Sequence, residues 1–310
     1  MPVNSHSERR LAWTAQITNT DGLMAQHTLE FNAIGTGWRI GTGRPLPPGV
    51  VDQITSRVEA FDATYSRFRP DSLVSSLRSH PGRTPFPEDA GPLFALYRRL
   101  YDATGGAVSP LVGQALEHLG YDADYSLRRS PGTVHVPAWD DVLSIDGSVV
   151  TSTEPLLLDV GAAGKGFLVD EVARLLEASG VTAFVIDASG DLVHRGADVE
   201  RVGLEDPLHP GRLIGVVNLS NAALCASSTA RRRWGDGLHH VVDPATAEPV
   251  GGVVATWVTS SSCAVADGLA TALFFTAPDQ LWPHFTFDWV RLHADGSADY
   301  SATFDGALFS

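Results

Sequence analysis

The sequence predicts an α+β fold, because strand and helix patterns come mixed, hairpin signals recur, and only one stretch reads as a βαβ-like unit. At 310 residues, 44% apolar and 19% charged, the chain can bury a substantial core as one large domain or two intimately packed ones. No internal repeat of fixed period is visible.

The first strand is expected at 28–33, where Leu29, Phe31 and Ala33 alternate with polar neighbours ahead of the turn Gly35-Thr36-Gly37. A helix follows from Val51, with Ile54, Val58, Phe61 and Tyr65 on one face, and it stops before Arg69-Pro70. Leu93, Leu96, Tyr97 and Leu100 signal a second helix that ends at Gly105-Gly106. Ser109 and Pro110 form an N-cap and first-turn pair for a short helix with Leu111, Ala115 and Leu119 inward, ending at Gly120. From there to Trp139, Asp, Arg, Pro and Gly predominate, which predicts a surface excursion.

A hairpin is expected with arms 142–145 and 148–151 around an Asp146-Gly147 turn. Residues 156–160 read as a short apolar strand, 161–164 as a small-residue turn, and 165–178 as a helix closed by Ser179-Gly180. Further strands are expected at 183–186, 201–204, 213–219 and 253–260, and a helix from Ala264 to about Phe275. The last hairpin turns at Asp295-Gly296.

A net charge of -14, with no basic run longer than Arg231-Arg232-Arg233, argues against nucleic acid as a partner. Cys225 and Cys263 have no second Cys or His at metal spacing, so they read as buried thiols. The first sixteen residues lack an apolar h-region and no stretch approaches eighteen apolar residues; a cytoplasmic protein without a membrane span is expected.

Asp267 and Thr271 stand four apart in a helix of otherwise small and apolar residues, which puts both oxygens on one face. A carboxylate there is costly unless compensated, and a hard cation such as Mg²⁺ would take both oxygens; the other reading is a backbone cap with a helix-bonded threonine. Asp159, Lys165 and Asp170 surround a glycine-rich turn whose N–H groups could receive an anion. It is not a P-loop: Asp159 stands where the first glycine belongs, and Gly166 where Ser or Thr belongs. Lys165 is the only lysine beside twenty-one arginines, by selection for an ammonium or by chance. His240 and Asp243, in the run His239-His240-Val241-Val242-Asp243-Pro244, offer an imidazole near a carboxylate, either for proton transfer or as plain loop residues.

In order along the chain, these segments resemble the FAD:protein FMN transferase family, usually called ApbE. The likeness runs through Ala33-Ile34-Gly35-Thr36, Tyr65-Ser66-Arg67-Phe68-Arg69-Pro70-Asp71-Ser72 and Gly105-Gly106-Ala107. It continues through the turn from Asp159 to Asp170, Ser189-Gly190-Asp191, the run from His239 to Pro244 and the helix around Asp267. The chain departs from the family pattern at Val108 and Ser109, where phenylalanine and aspartate are usual, at Arg78, and at Ala188-Ser189.

The resemblance implies an ApbE-like, T-fold-related arrangement of mixed sheets with packed helices, with an N-terminal extension and first strand at 1–30 and the FAD-binding transferase domain at 31–310. It implies Asp267, Thr271 and the carbonyl of Leu168 as Mg²⁺ ligands, and His240 and Asp243 as the catalytic pair. Gly35, Thr36, Tyr65, Ala107, Val108, Ser109, Lys165, Asp170, Ser189, Gly190 and Asp191 are then expected around FAD. The implied reaction cleaves FAD, leaves FMN as a phosphoester on a threonine or serine of an acceptor flavoprotein, and releases AMP. Hydrolysis of FAD to FMN and AMP, or FAD binding without turnover, are the alternatives that the same residues leave open.

Overall fold

The computed structural model describes residues 26–309, so most of the extension expected at 1–30 lies outside the described residues. Strands β1 (His27–Ala33) and β2 (Thr36–Thr42) open the chain, so a boundary at 30/31 would cut a strand. Helix α1 (Val50–Tyr65), the turn α2 (Leu73–Ser76), strand β3 (Gly82–Pro85) and helix α3 (Ala90–Ala103) follow. A 3-10 turn, Pro110–Val112, then leads to α4 (Gly113–His118), α5 (Trp139–Val142), strands β4 (Leu143–Asp146) and β5 (Val149–Ser152), and helix α6 (Gly164–Ala178). Five strands come next: β6 (Phe184–Asp187), β7 (Asp191–Arg195), β8 (Glu200–Glu205), β9 (Leu213–Leu219) and β10 (Ala223–Ser228). Two small ribbons follow, β11 (Arg233–Trp234) with β12 (Leu238–His239) and β13 (Val242–Asp243) with β14 (Glu248–Pro249). The chain ends with β15 (Val253–Ser260), α7 (Cys263–Ala272), α8 (Pro278–Leu281), β16 (Asp288–His293), β17 (Ala298–Tyr300) and β18 (Gly306–Leu308).

The central sheet has the order β1-β2-β6-β7-β10-β15-β16-β17, and a smaller sheet has the order β18-β9-β8. Period-two alternation sorts its side chains: Val193, Cys225 and Val258 point into the helical core, while Leu192, Leu224 and Trp257 meet Val202, Leu204 and Val217 of the small sheet. Helices therefore cover one face and the small sheet the other. The central strands of the large sheet are buried on both sides, which is why 184–186 reads as a continuous apolar run.

Three expectations change. Every ladder among the described residues is antiparallel, and residues 156–160, expected as a short apolar strand, join no sheet. Leu156, Leu157 and Leu158 are fully or nearly buried, and only single bonds hold this stretch, from Leu156 N–H to the Leu77 carbonyl and from Asp159 N–H to the Pro110 carbonyl. Apolarity here reports burial, not a ladder. The first hairpin turns one residue later, at Gly147-Ser148, with Asp146 paired to Val149. The helix expected to reach Phe275 ends at Ala272.

Candidate functional site

The site grows from one glycine. A Cβ on Gly166 would lie 2.4 Å from the Cys263 carbonyl oxygen and 2.7 Å from Asp267 Cβ, so α6 and α7 cross with their backbones nearly touching. That approach lets the Gly166 N–H donate to Asp267 Oδ2 at 2.9 Å. Asp267 is 8% exposed, and burial together with the nearby Asp191 charge pushes its carboxyl well above the usual carboxylate range, with Lys165 opposing.

The turn before α6 has its amides spent inside the protein. Gly161 N–H donates to Asp159 Oδ1 at 2.7 Å, and the N–H groups of Ala162 and Ala163 both donate to the Tyr97 hydroxyl oxygen, at 3.1 and 3.2 Å. Gly164 N–H donates to the Val160 carbonyl at 2.8 Å. The expectation that these N–H groups receive an anion is thus corrected: the turn offers carbonyl oxygen instead. The carbonyl of Ala162 accepts from Thr271 Oγ1 at 3.5 Å, so it is this main-chain oxygen that lies beside Thr271. Leu168, expected in that place, lies in the second turn of α6, where main-chain carbonyls are consumed by the helix.

Lys165, one residue away, turns toward the β6–β7 hairpin. Its Nζ lies 2.5 Å from Asp191 Oδ2 and donates to the Ala188 carbonyl at 3.1 Å. Ser189 and Gly190 have φ of 56° and 104°, the left-handed pair a two-residue hairpin loop requires, and Ser189 Oγ donates to the Gly37 carbonyl at 2.8 Å. The segment Gly35-Thr36-Gly37 therefore packs beside Ser189-Gly190-Asp191, two expected FAD segments brought together from 150 residues apart in round numbers. Behind Gly190, the Arg231 guanidinium would lie 2.7 Å from a Cβ on that glycine.

His240 follows β12, partly buried, with Nδ1 closed from solvent and lacking a partner among the described residues. Burial, then the charges of Arg232, His239 and Arg231, push its imidazole well below its ordinary value, so the ring is neutral at neutral pH; the Arg232 main chain holds it. Its neighbour His239 is occupied, with Nε2 3.0 Å from the Val250 carbonyl and Nδ1 accepting from Val241 N–H. Asp243 does not serve His240: Oδ1 accepts from Ala245 N–H at 2.9 Å and its carbonyl from Ala247 N–H, closing the proline turn.

Other expected FAD residues lie apart from this centre. Tyr65 is 3% exposed in an aromatic cluster with Phe61, Phe86 and Phe94. Asp170 has both oxygens committed to the start of α7, accepting from Cys263 N–H, Ala264 N–H and Ser262 Oγ. Ser109 Oγ caps the 3-10 turn through Leu111 N–H, Val108 is buried, and Ala107 closes onto the Thr104 carbonyl, while the Pro110 carbonyl accepts from Asp159 N–H. Sequence reasoning missed Ala162, whose contribution is a carbonyl and leaves no residue-type signal, and Tyr97, whose helical spacing marked it only as core.

A family model described as "ApbE family" matches residues 28–286. A protein named FAD:protein FMN transferase from Rhodobacter capsulatus is 33% identical over 66% of this chain, a stretch that spans only 40% of that protein. One of the same name from Escherichia coli K12 is 23% identical over 91% of this chain and 85% of its own length. Among solved structures, the ApbE protein of Thermotoga maritima superposes with a TM-score of 0.80 at 22% identity, over 90% of this chain and 99% of that one. The flavin transferase ApbE of Vibrio cholerae gives 0.71 at 20% identity, over 89% and 96%.

Proposed function

The chain belongs to the ApbE family, and we propose that it is a FAD:protein FMN transferase, cleaving FAD, attaching FMN to a threonine or serine of an acceptor protein and releasing AMP. Membership and the relatives' shared name support the reaction class. The observation that carries the reading is the meeting of a buried carboxylate, a hydroxyl and a main-chain carbonyl at the α6–α7 crossing.

That donor set fits Mg²⁺, being all oxygen, with Asp267 carrying a charge that burial leaves undercompensated. Asp267, Thr271 and the Ala162 carbonyl would hold the ion, which when bound neutralises diphosphate charge during transfer. The Gly35-Thr36 turn and the Ser189-Gly190-Asp191 hairpin, braced by Lys165, form the wall against which FAD is oriented. His240 accepts the proton of the acceptor hydroxyl at Nδ1, the nitrogen left free while the Arg232 main chain fixes the ring.

The test is incubation with FAD, Mg²⁺ and a threonine-containing acceptor peptide, with AMP and peptide mass both followed. Covalent FMN on the peptide in step with AMP is expected. AMP with only free FMN would replace transfer by hydrolysis, and no AMP would leave a flavin-binding protein.

A further inference from the structure

Tyr97 reaches the site from α3 with its side chain fully buried. Its hydroxyl oxygen takes two amides at once, from Ala162 and Ala163, at the point where the chain passes from an extended segment into α6. A trans peptide points its N–H and C=O in opposite directions. The N–H of Ala163 and the C=O of Ala162 belong to one peptide unit, so drawing that N–H toward Tyr97 drives the carbonyl to the far side, where Thr271 Oγ1 lies 3.5 Å away. The Ala163 N–H has one other acceptor, the Val160 carbonyl at a longer 3.4 Å, so Tyr97 supplies the shorter of its two bonds.

A second brace acts on the same turn from the opposite side. Arg67, buried beneath the rings of Phe68 and Tyr121, donates through Nε to Asp159 Oδ2 at 2.5 Å and through Nη1 to the Tyr121 carbonyl at 2.7 Å. Asp159 in turn holds Gly161 N–H.

We propose that Tyr97 is a positioning residue that sets the polarity of this turn, holding its amides away from the site so that the Ala162 carbonyl faces Asp267 and Thr271, with Arg67 acting as a secondary brace through Asp159. The inference rests on the metal reading given above. Removing the hydroxyl leaves the Ala162 N–H without its acceptor and the Ala163 N–H with only the longer bond to the Val160 carbonyl, which loosens the peptide between them and moves its carbonyl away from Asp267 and Thr271.

The experiment is a calorimetric titration of the full-length protein with Mg²⁺ alone, in the absence of FAD, for wild type, Tyr97→Phe and Tyr101→Phe, together with amide hydrogen exchange at Ala162 and Ala163. Tyr101 is the control because its hydroxyl accepts the Trp139 N–H at 3.1 Å, an equivalent cap elsewhere on the same helix. Tyr97→Phe is expected to weaken Mg²⁺ binding by about 10- to 100-fold, the range for lost outer-shell partners, and to speed exchange at both amides, while Tyr101→Phe binds as wild type. Equal affinity in wild type and Tyr97→Phe overturns the role of Tyr97 and leaves the metal reading standing; no binding by wild type overturns both. Equal weakening in Tyr101→Phe reduces the effect to general stability and also overturns the proposal. Should Tyr97→Phe not fold, Arg67→Lys decides, since lysine keeps the charge but loses the fixed fork of Nε and Nη1 donors that Arg67 presents to Asp159 and the Tyr121 carbonyl: weakened Mg²⁺ binding supports the brace and wild-type binding refutes it.

Discussion

Gly166→Ala should separate α6 from α7. The added methyl meets the Cys263 carbonyl oxygen at 2.4 Å and Asp267 Cβ at 2.7 Å, and the carbonyl is backbone that no rotamer can move. Against a carbon–carbon separation of ~3.5 Å, the second contact alone demands about 0.8 Å of movement. Overpacking of this kind costs ~1–3 kcal/mol, while the helix propensity of alanine over glycine returns ~1 kcal/mol. Because the clash is against main chain, the steric cost falls at the top of that range and the net loss is ~2 kcal/mol. At ~2–4 °C per kcal/mol for domains of this order of size, the melting temperature falls by roughly 4–8 °C. Turnover should fall more steeply, since the Gly166 N–H bond to Asp267 lies at the same crossing. Gly164→Ala is the internal comparison: there the nearest atoms are side-chain carbons, Val160 Cγ2 at 3.0 Å and Phe61 Cζ at 3.4 Å, which can yield. Thermal melts and AMP release from FAD and Mg²⁺ read both effects. A Gly166→Ala protein that melts and turns over like wild type, or less damage there than at Gly164, would refute the close-crossing argument.

Asp267→Asn is expected to cut Mg²⁺-dependent AMP release by about 100-fold or more, with an unchanged or raised melting temperature in metal-free buffer because a buried carboxyl is replaced by a neutral group; a collapsed fold would contradict this. Burial pushes His194, His239 and His240 below the ordinary imidazole value of 6.5, so the unfolded chain binds more protons beneath that pH. Stability should therefore be full above pH 6.5 and drop as the pH falls below it, and His194→Gln should make the decline of melting temperature shallower. Cys225 and Cys263 lie 3.5 Å apart, fully buried, with burial raising Cys263 to about 12 and Cys225 well above its ordinary value. Both should resist Ellman's reagent in the native protein and react only on unfolding; rapid native reaction would show an opening beneath α7.

The helices were legible because their apolar stripes are local. Ile54, Phe61 and Tyr65 on α1, and Leu93, Leu96, Tyr97 and Leu100 on α3, are buried as their spacing requires. The stretch 156–160 misled for the opposite reason, since a buried extended chain and a buried strand share one composition and differ only in what lies alongside. Residue type likewise flagged Asp170 and Tyr65 without revealing that the first is spent on the start of α7 and the second on an aromatic cluster.

By itself the sequence determined the α+β class, most elements, the family and the pairing of Asp267 with Thr271, because each depends on residue type at short spacing. Only the tertiary structure decided that the Ala162 carbonyl rather than that of Leu168 meets Thr271, that the amides of the glycine-rich turn are spent inside the protein, and that Asp243 closes its own turn rather than serving His240. The physical reason is that every residue carries the same donor and acceptor on its main chain, and which of them faces a site is fixed by partners such as Tyr97 that stand far away in the chain.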